Sequence, residues 1–116
     1  MGTWGVKAYE SDSAADWFGD LWDEFPIPSK VEETLKLDLE DNLEEIRAAA
    51  HLLVQLGEIY IWPVDSIDRH CDLAARRLEE IKALEEYSGD DFQAQLQREI
   101  DILRSRISKD FRRGDA

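Results

Sequence analysis

The sequence predicts an all-α fold: an antiparallel bundle of four to five helices with an extended N-terminal arm packed on it, in a single helical domain spanning 1–116. Three observations carry this. Apolar residues recur at helical spacing through most of the chain. Helix-starting and helix-stopping residues (Ser, Asp, Gly, Pro) fall between those stripes. The one β-branched and aromatic run, Glu58 to Pro63, has no second run nearby to pair with, so it reads as a packed loop rather than a strand.

Taken in order, residues 1–10 lack helical periodicity and hold two glycines, which makes them the arm. Ser13 reads as an N-cap with Asp16 three positions on, and Asp12 and Asp16 suit the positive end of a helix dipole. Ala14, Phe18, Leu21, Trp22 and Phe25 then form an apolar stripe, with Trp22 and Phe25 as its core face. Gly19 weakens this helix, and a close contact with a neighbouring backbone is the expected reason. Phe25-Pro26-Ile27-Pro28 ends it. Ser29 with Glu32 starts a short second helix that points Val31 and Leu35 inward and breaks near Asp38.

Asp41 with Glu44 opens a third helix, stopped by Gly57. Its segment Ala48 to Val54 is apolar nearly all round, so this is the expected central helix. Asp65 caps a fourth helix running to about Tyr87, with Ile67, Cys71, Ala74, Leu78, Ile81 and Leu84 inward. Ser88-Gly89 ends it. Asp90 or Asp91 starts a fifth, with Phe92, Leu96, Ile100, Leu103, Ile107 and Phe111 as its stripe and fraying at Arg113-Gly114.

The opening Met-Gly-Thr-Trp-Gly, residues 1–5, is followed by acid-x-Asp-x-Ala-x-Asp-Trp from Glu10 to Trp17. With the Ala-rich middle helix and the closing Ile100-Asp-Ile-Leu-Arg-Ser-Arg-Ile107, this resembles the bacterial domain-of-unknown-function family 4259 from end to end. The resemblance implies a small helical single-domain protein. It implies no reaction and no catalytic residue.

Charge narrows the function classes. Net charge is −13, and residues 1–58 hold fourteen acids against four bases, while residues 59–116 hold thirteen against ten. Nucleic-acid binding needs Lys and Arg to displace counterions, so the sign is wrong for it, and equally for an anionic membrane surface. A basic protein partner is the one this field attracts. The bland counterpart is a solvated acidic surface that keeps a small protein soluble. One cysteine, no secretory signal pattern and no long apolar run make a cytoplasmic location the expectation.

Candidate chemistry is sparse. Asp12, Asp16, Asp20 and Asp23 fall along one helix face, where they either share a hard cation or form a solvated face; the second reading is preferred, with no metal assigned. Asp16 is expected to anchor Trp4 or the backbone of the arm. Trp4, Tyr9, Trp17, Trp22 and Trp62 either bind a partner or glue the arm to the bundle. Trp17 lies off the apolar stripe and either holds the arm or protrudes. His51, within the Ala-rich helix, reads as a core or boundary histidine. His70-Cys71 lacks the further ligands zinc needs, and Cys71 fits the inner stripe. Phosphate loops, nucleophile elbows and His-Glu-x-x-His are absent. Arg98, Arg104, Arg106, Lys109, Arg112 and Arg113 make the last helix basic, suited to pair with the acidic N-terminal helix of its own or a second copy.

The resulting expectation is a non-catalytic protein-interaction module without a cofactor, of inhibitor or immunity type, masking a basic partner. Its site, or structural lock, comprises Trp4, Asp12, Asp16, Trp17, Asp20 and Asp23. The alternatives are a small metal-dependent enzyme using the acidic helix face, and a structural or regulatory homodimer.

Overall fold

A computed structural model describes residues 4–114, with side chains through Phe111. Met1 to Thr3 of the opening motif, and the Arg112 and Arg113 side chains of the basic helix, lie outside the described residues. The described residues form an all-α helical bundle of six α-helices: α1 (Asp12–Glu24), α2 (Ile27–Leu35), α3 (Leu39–Leu56), α4 (Ile67–Lys82), α5 (Asp90–Ser105) and α6 (Lys109–Gly114). A 3₁₀ turn, Glu85–Tyr87, joins α4 to α5. The α4–α5 hairpin is the most extensive pairing, and α3 packs on both of its helices.

The core is built where the stripes predict, except that Phe25 and Phe92 are exposed and Leu84 is half-buried. Leu35, Ile46, Ala50, Leu53, Cys71, Ala74, Ala75, Leu78, Ile81, Leu96 and Leu103 are wholly buried. Alanines on α3 and α4 let the helix axes approach, since interaxial distance follows the side chains at the contact. Burying Leu or Ile stabilises by about 1.5–3 kcal/mol each, so this cluster dominates the folding energy.

The boundaries shift from the sequence expectation, each for a local reason. Ser11, not Ser13, caps α1, its Oγ accepting from Ala14 N at 3.1 Å. The second helix starts at Ile27 rather than Ser29, because Pro28 with its fixed φ suits the first helical turn. Asp38 caps α3 by accepting from Asp41 N at 3.1 Å, and the helix kinks at Asn42, whose Nδ2 donates to the Asp38 carbonyl. The regular part therefore begins close to where Asp41 and Glu44 announce it.

Asp65 makes no cap. The chain turns on Pro63, whose carbonyl accepts from Ser66 N and Ile67 N, and α4 follows. α4 stops at Lys82 instead of Tyr87, and Gln93 Nε2 ties the joint by donating to the Lys82 and Tyr87 carbonyls. The last helix is two helices. Arg106 Nη1 is drawn to the Leu53 and Gly57 carbonyls at the end of α3, at 2.8 and 3.3 Å, the favourable end for a cation. Ser108 donates to Asp68 and caps α6 by accepting from Phe111 N.

The arm folds back on itself instead of extending. Trp4 N donates to the Glu10 carbonyl and Glu10 N to the Lys7 carbonyl. A Cβ at Gly5 would meet the Glu10 carboxylate, which would have to swing aside. Residues 58–63 form consecutive turns, as expected of a packed loop, with Ile61 and Trp62 buried.

Candidate functional site

The arm, α1 and the 58–64 connector meet along one edge of the bundle. Trp22 Nε1 donates to the Ile61 carbonyl at 2.6 Å, and the Trp22 and Trp62 rings pack at 5.4 Å, which fixes α1 to the connector. Trp4 joins from the arm: its Nε1 donates to Asp12 Oδ1 at 2.9 Å, and its ring stands edge-on to Tyr60 at 4.6 Å. Tyr9 OH donates to Glu58 Oε1 at 3.2 Å. Between α1 and the connector these contacts leave a largely apolar groove of about 470 Å³. Ala15, Gly19, Trp22 and Asp23 form one wall, and the segment Ile59 to Val64 forms the other.

Two features of this groove are unusual. Ile59, Tyr60 and Val64 are exposed at 52%, 47% and 68%, a concentration of apolar surface across from Asp23. Tyr60 also holds a φ of +75°, a conformation that costs a non-glycine residue about 1–3 kcal/mol and persists only when its surroundings enforce it. The enforcement is visible: Ile61 N and Trp62 N both donate to the Glu58 carbonyl, and the Ile61 carbonyl is held by Trp22.

Behind the groove lies a polar relay that no sequence motif announces. Trp62 Nε1 donates to His70 Nδ1 at 3.0 Å, so His70 carries its proton on Nε2 and donates it to Glu32 Oε1 at 2.7 Å. Glu32 also accepts from Arg69 Nη2 and Lys36 Nζ. Those three donors hold the Glu32 carboxyl well below the usual carboxylate range, with Lys36 contributing most. Burial holds the His70 imidazole below its ordinary value of 6.5, outweighing the pull of Glu32. His70 is thus a neutral connector between α2, α4 and the groove floor.

The six residues proposed from sequence divide. Trp4 and Asp12 form the lock, so Asp12 and not Asp16 anchors the arm: it sits in the first turn of α1, opposite the folded-back Trp4. Asp23 lines the groove. Asp16 and Asp20 are exposed and enter none of the hydrogen bonds or ion pairs among the described residues. Trp17 protrudes, 58% exposed, resting edge-on against Phe18 at 5.2 Å. By the helical repeat it lies roughly opposite Gly19 on α1, hence away from the groove.

Other expectations change. Phe25 is half exposed rather than in the core, because the chain leaves the helix there towards Pro26. Gly19 approaches no backbone; a Cβ there meets nothing within 4 Å. His51 is exposed, facing away from the buried Ala50 and Leu53. Cys71 is a core residue whose thiol burial pushes up to about 11, which disqualifies it as a nucleophile. The basic residues of α5 pair with neighbours other than α1: Arg104 with Glu79, and Arg106 with Glu58 and the end of α3.

A cavity of about 800 Å³ lies between the start of α3 and the α4–α5 joint, lined by six acids including Asp38, Asp41 and Glu86. Several of these acids already serve α3, since Asp38 caps it and Glu40 and Asp41 complement its dipole. A cavity of about 440 Å³ beside it is lined by His51, Glu44, Arg47 and the buried Glu99, which pairs with Arg47 and accepts from Gln95. Among the described residues no group of three or more His, Cys, Asp or Glu is arranged to hold a metal ion, the α1 aspartates included. No helix among them is long and apolar enough to cross a membrane. No family model, curated protein or solved structure matches the chain.

Proposed function

We propose that the protein is a non-catalytic interaction module that engages a basic partner protein, in the manner of an inhibitor or immunity protein. The observation that carries this reading is the edge where exposed apolar side chains (Trp4, Ile59, Tyr60, Val64) lie beside Asp12 and Asp23, with the exposed, unpaired carboxylates Asp16 and Asp20 about one helical turn along α1 from them. Aromatic anchors surrounded by charge are the composition of interaction surfaces, and a net charge of −13 steers a cationic partner towards them. Membership of domain-of-unknown-function family 4259, on the opening motif, and a cytoplasmic location, on the single buried cysteine, belong to the same proposal.

The test is a pull-down from lysate of the source cells with wild-type protein and with an Asp16→Asn, Asp20→Asn, Asp23→Asn variant. The expected result is a basic protein retained at low salt by wild type alone. It is released at about 1 M salt, where charges are screened beyond ~3 Å. Retention of no basic protein, or equal retention by the variant, overturns the reading.

A further inference from the structure

We infer that the groove between α1 and the connector receives an amphipathic α-helix of the basic partner. That helix lies against Ala15 and Gly19, with apolar side chains on Trp22 and Trp62 and with Lys or Arg side chains reaching Asp16 and Asp23. This rests on the interaction reading above and names the occupant of its site.

Size, shape and charge converge on that occupant. The groove, about 470 Å³, is too small to enclose a helix about 10–12 Å across, so it takes the side chains of one helix face while the helix lies along it. Its α1 wall presents Ala15 and Gly19 one turn apart, with no side chain to hold an approaching helix off. Gly19 costs α1 roughly 1 kcal/mol relative to alanine, and among the described residues nothing lies within 4 Å of where its Cβ would be to explain that cost. On the opposite wall the strained backbone of Tyr60, enforced by the Glu58 and Trp22 hydrogen bonds, holds the ring against Trp4.

Asp23 lines the groove, and Asp12, Asp16 and Asp20 follow it around roughly a quarter of the α1 circumference. No lysine or arginine is in the described lining, so the charge that complements it is positive. A second copy of this chain fits less well. The apolar face of its basic helix, Leu96, Ile100 and Leu103, is spent in its own core, and Arg104 and Arg106 are committed to Glu79 and the end of α3.

The probe is a synthetic helical peptide of about 18 residues, leucine on one face and lysine on the other, alongside versions with glutamine or glutamate in place of lysine. Binding is read by calorimetry and by tryptophan fluorescence, for wild type, Gly19→Leu and Trp17→Ser. Gly19→Leu fills the groove while leaving every charge in place, and the space around Gly19 predicts that it melts no lower than wild type.

The leucine–lysine peptide should bind wild type and Trp17→Ser alike, bind Gly19→Leu at least roughly tenfold more weakly, a loss of about 1.4 kcal/mol, and outcompete the glutamine and glutamate versions. Equal binding to wild type and Gly19→Leu overturns the groove while leaving a basic partner in place. No peptide binding, with a basic protein still retained from lysate, does the same. Failure of both assays removes both readings. A dimer in light scattering that Gly19→Leu dissociates makes a second copy the occupant and overturns the inference.

Discussion

Trp22 and Trp17 stand five residues apart on one helix and belong to two different proteins in energetic terms. Trp22 is 9% exposed, with its indole N–H satisfied by Ile61 and its ring against Trp62. Trp17 is 58% exposed and leans only on Phe18. The same contrast divides the molecule. Around α3, α4 and α5 nearly every apolar stripe residue is buried, and charged residues pair along the outside. Along the arm, α1 and connector, Trp4, Trp17, Ile59, Tyr60 and Val64 remain in the open and Asp16 and Asp20 remain unpaired. A domain of this size has enough core in the first region to stand alone, which frees the second to carry surface that folding does not need.

The sharpest way to break this contrast is to truncate one aliphatic side chain on each side. Leu53→Ala, in the wholly buried cluster, should lower stability by about 3–4 kcal/mol, within the usual range for such cavities, whereas Val64→Ala should stay within about 0.5 kcal/mol; denaturant midpoints decide. Equal losses would mean that the groove wall belongs to the core.

Next in size is the border between the regions. Trp62→Phe keeps a ring against Trp22 but leaves His70 Nδ1 without its donor, a buried unsatisfied acceptor that costs about 1–3 kcal/mol. Urea unfolding should show a loss near the middle of that range, and an unchanged midpoint would remove the relay from the energetics.

Acid should act through the same relay. His70 and Glu32 both have native values below their ordinary ones, so each contributes stability that is present at neutral pH. The His70 contribution begins to be lost as pH falls below 6.5, and that of Glu32 below 4.5. Protonation at Nδ1 would also set two N–H groups face to face at Trp62, at the floor of the groove. Melting temperatures from pH 8 to 5 should fall along the acid limb in wild type. They should fall less steeply in His70→Asn, whatever its stability at pH 8; parallel limbs would place the acid sensitivity elsewhere.

The smallest effects belong to the open edge. Gly19→Ala should raise stability by roughly 1 kcal/mol, since a Cβ there meets no neighbour. Trp17→Ser should change it by no more than about 0.5 kcal/mol. Thermal melts read both, and a destabilised Gly19→Ala would show that something packs on that position after all.

Much of the fold was legible because it rests on local periodicity. The stripes Ile67 to Ile81 and Leu96 to Ile107 put the right residues inside, and Pro63, Gly57 and Pro26 marked breaks. Helix starts were less legible where two capping residues competed. Ser11 and Ser13 both offer a hydroxyl, and only the folded arm decides between them. The anchor of that arm followed suit, passing from Asp16 to Asp12 by one helical turn. Of the candidate site, the acid face was readable from spacing alone. The groove was not, because half of it comes from Ile59 to Val64, some forty residues away in sequence. Glu32 carried no signal at all beyond its capping pattern, since its partner His70 is thirty-eight residues on.

By itself, then, the sequence determined which faces of which helices would be buried, and that the N-terminal half would be acidic, because 3.6-residue periodicity and charge are properties of the chain read locally. Only the tertiary structure decided which tryptophan closes the core and which stays in water. It also decided that Trp62, His70 and Glu32 meet, and that a glycine and a strained tyrosine face one another across a groove. Those are contacts between distant segments, fixed by how helices of these lengths pack and where the connector must turn. No spacing along the chain encodes them.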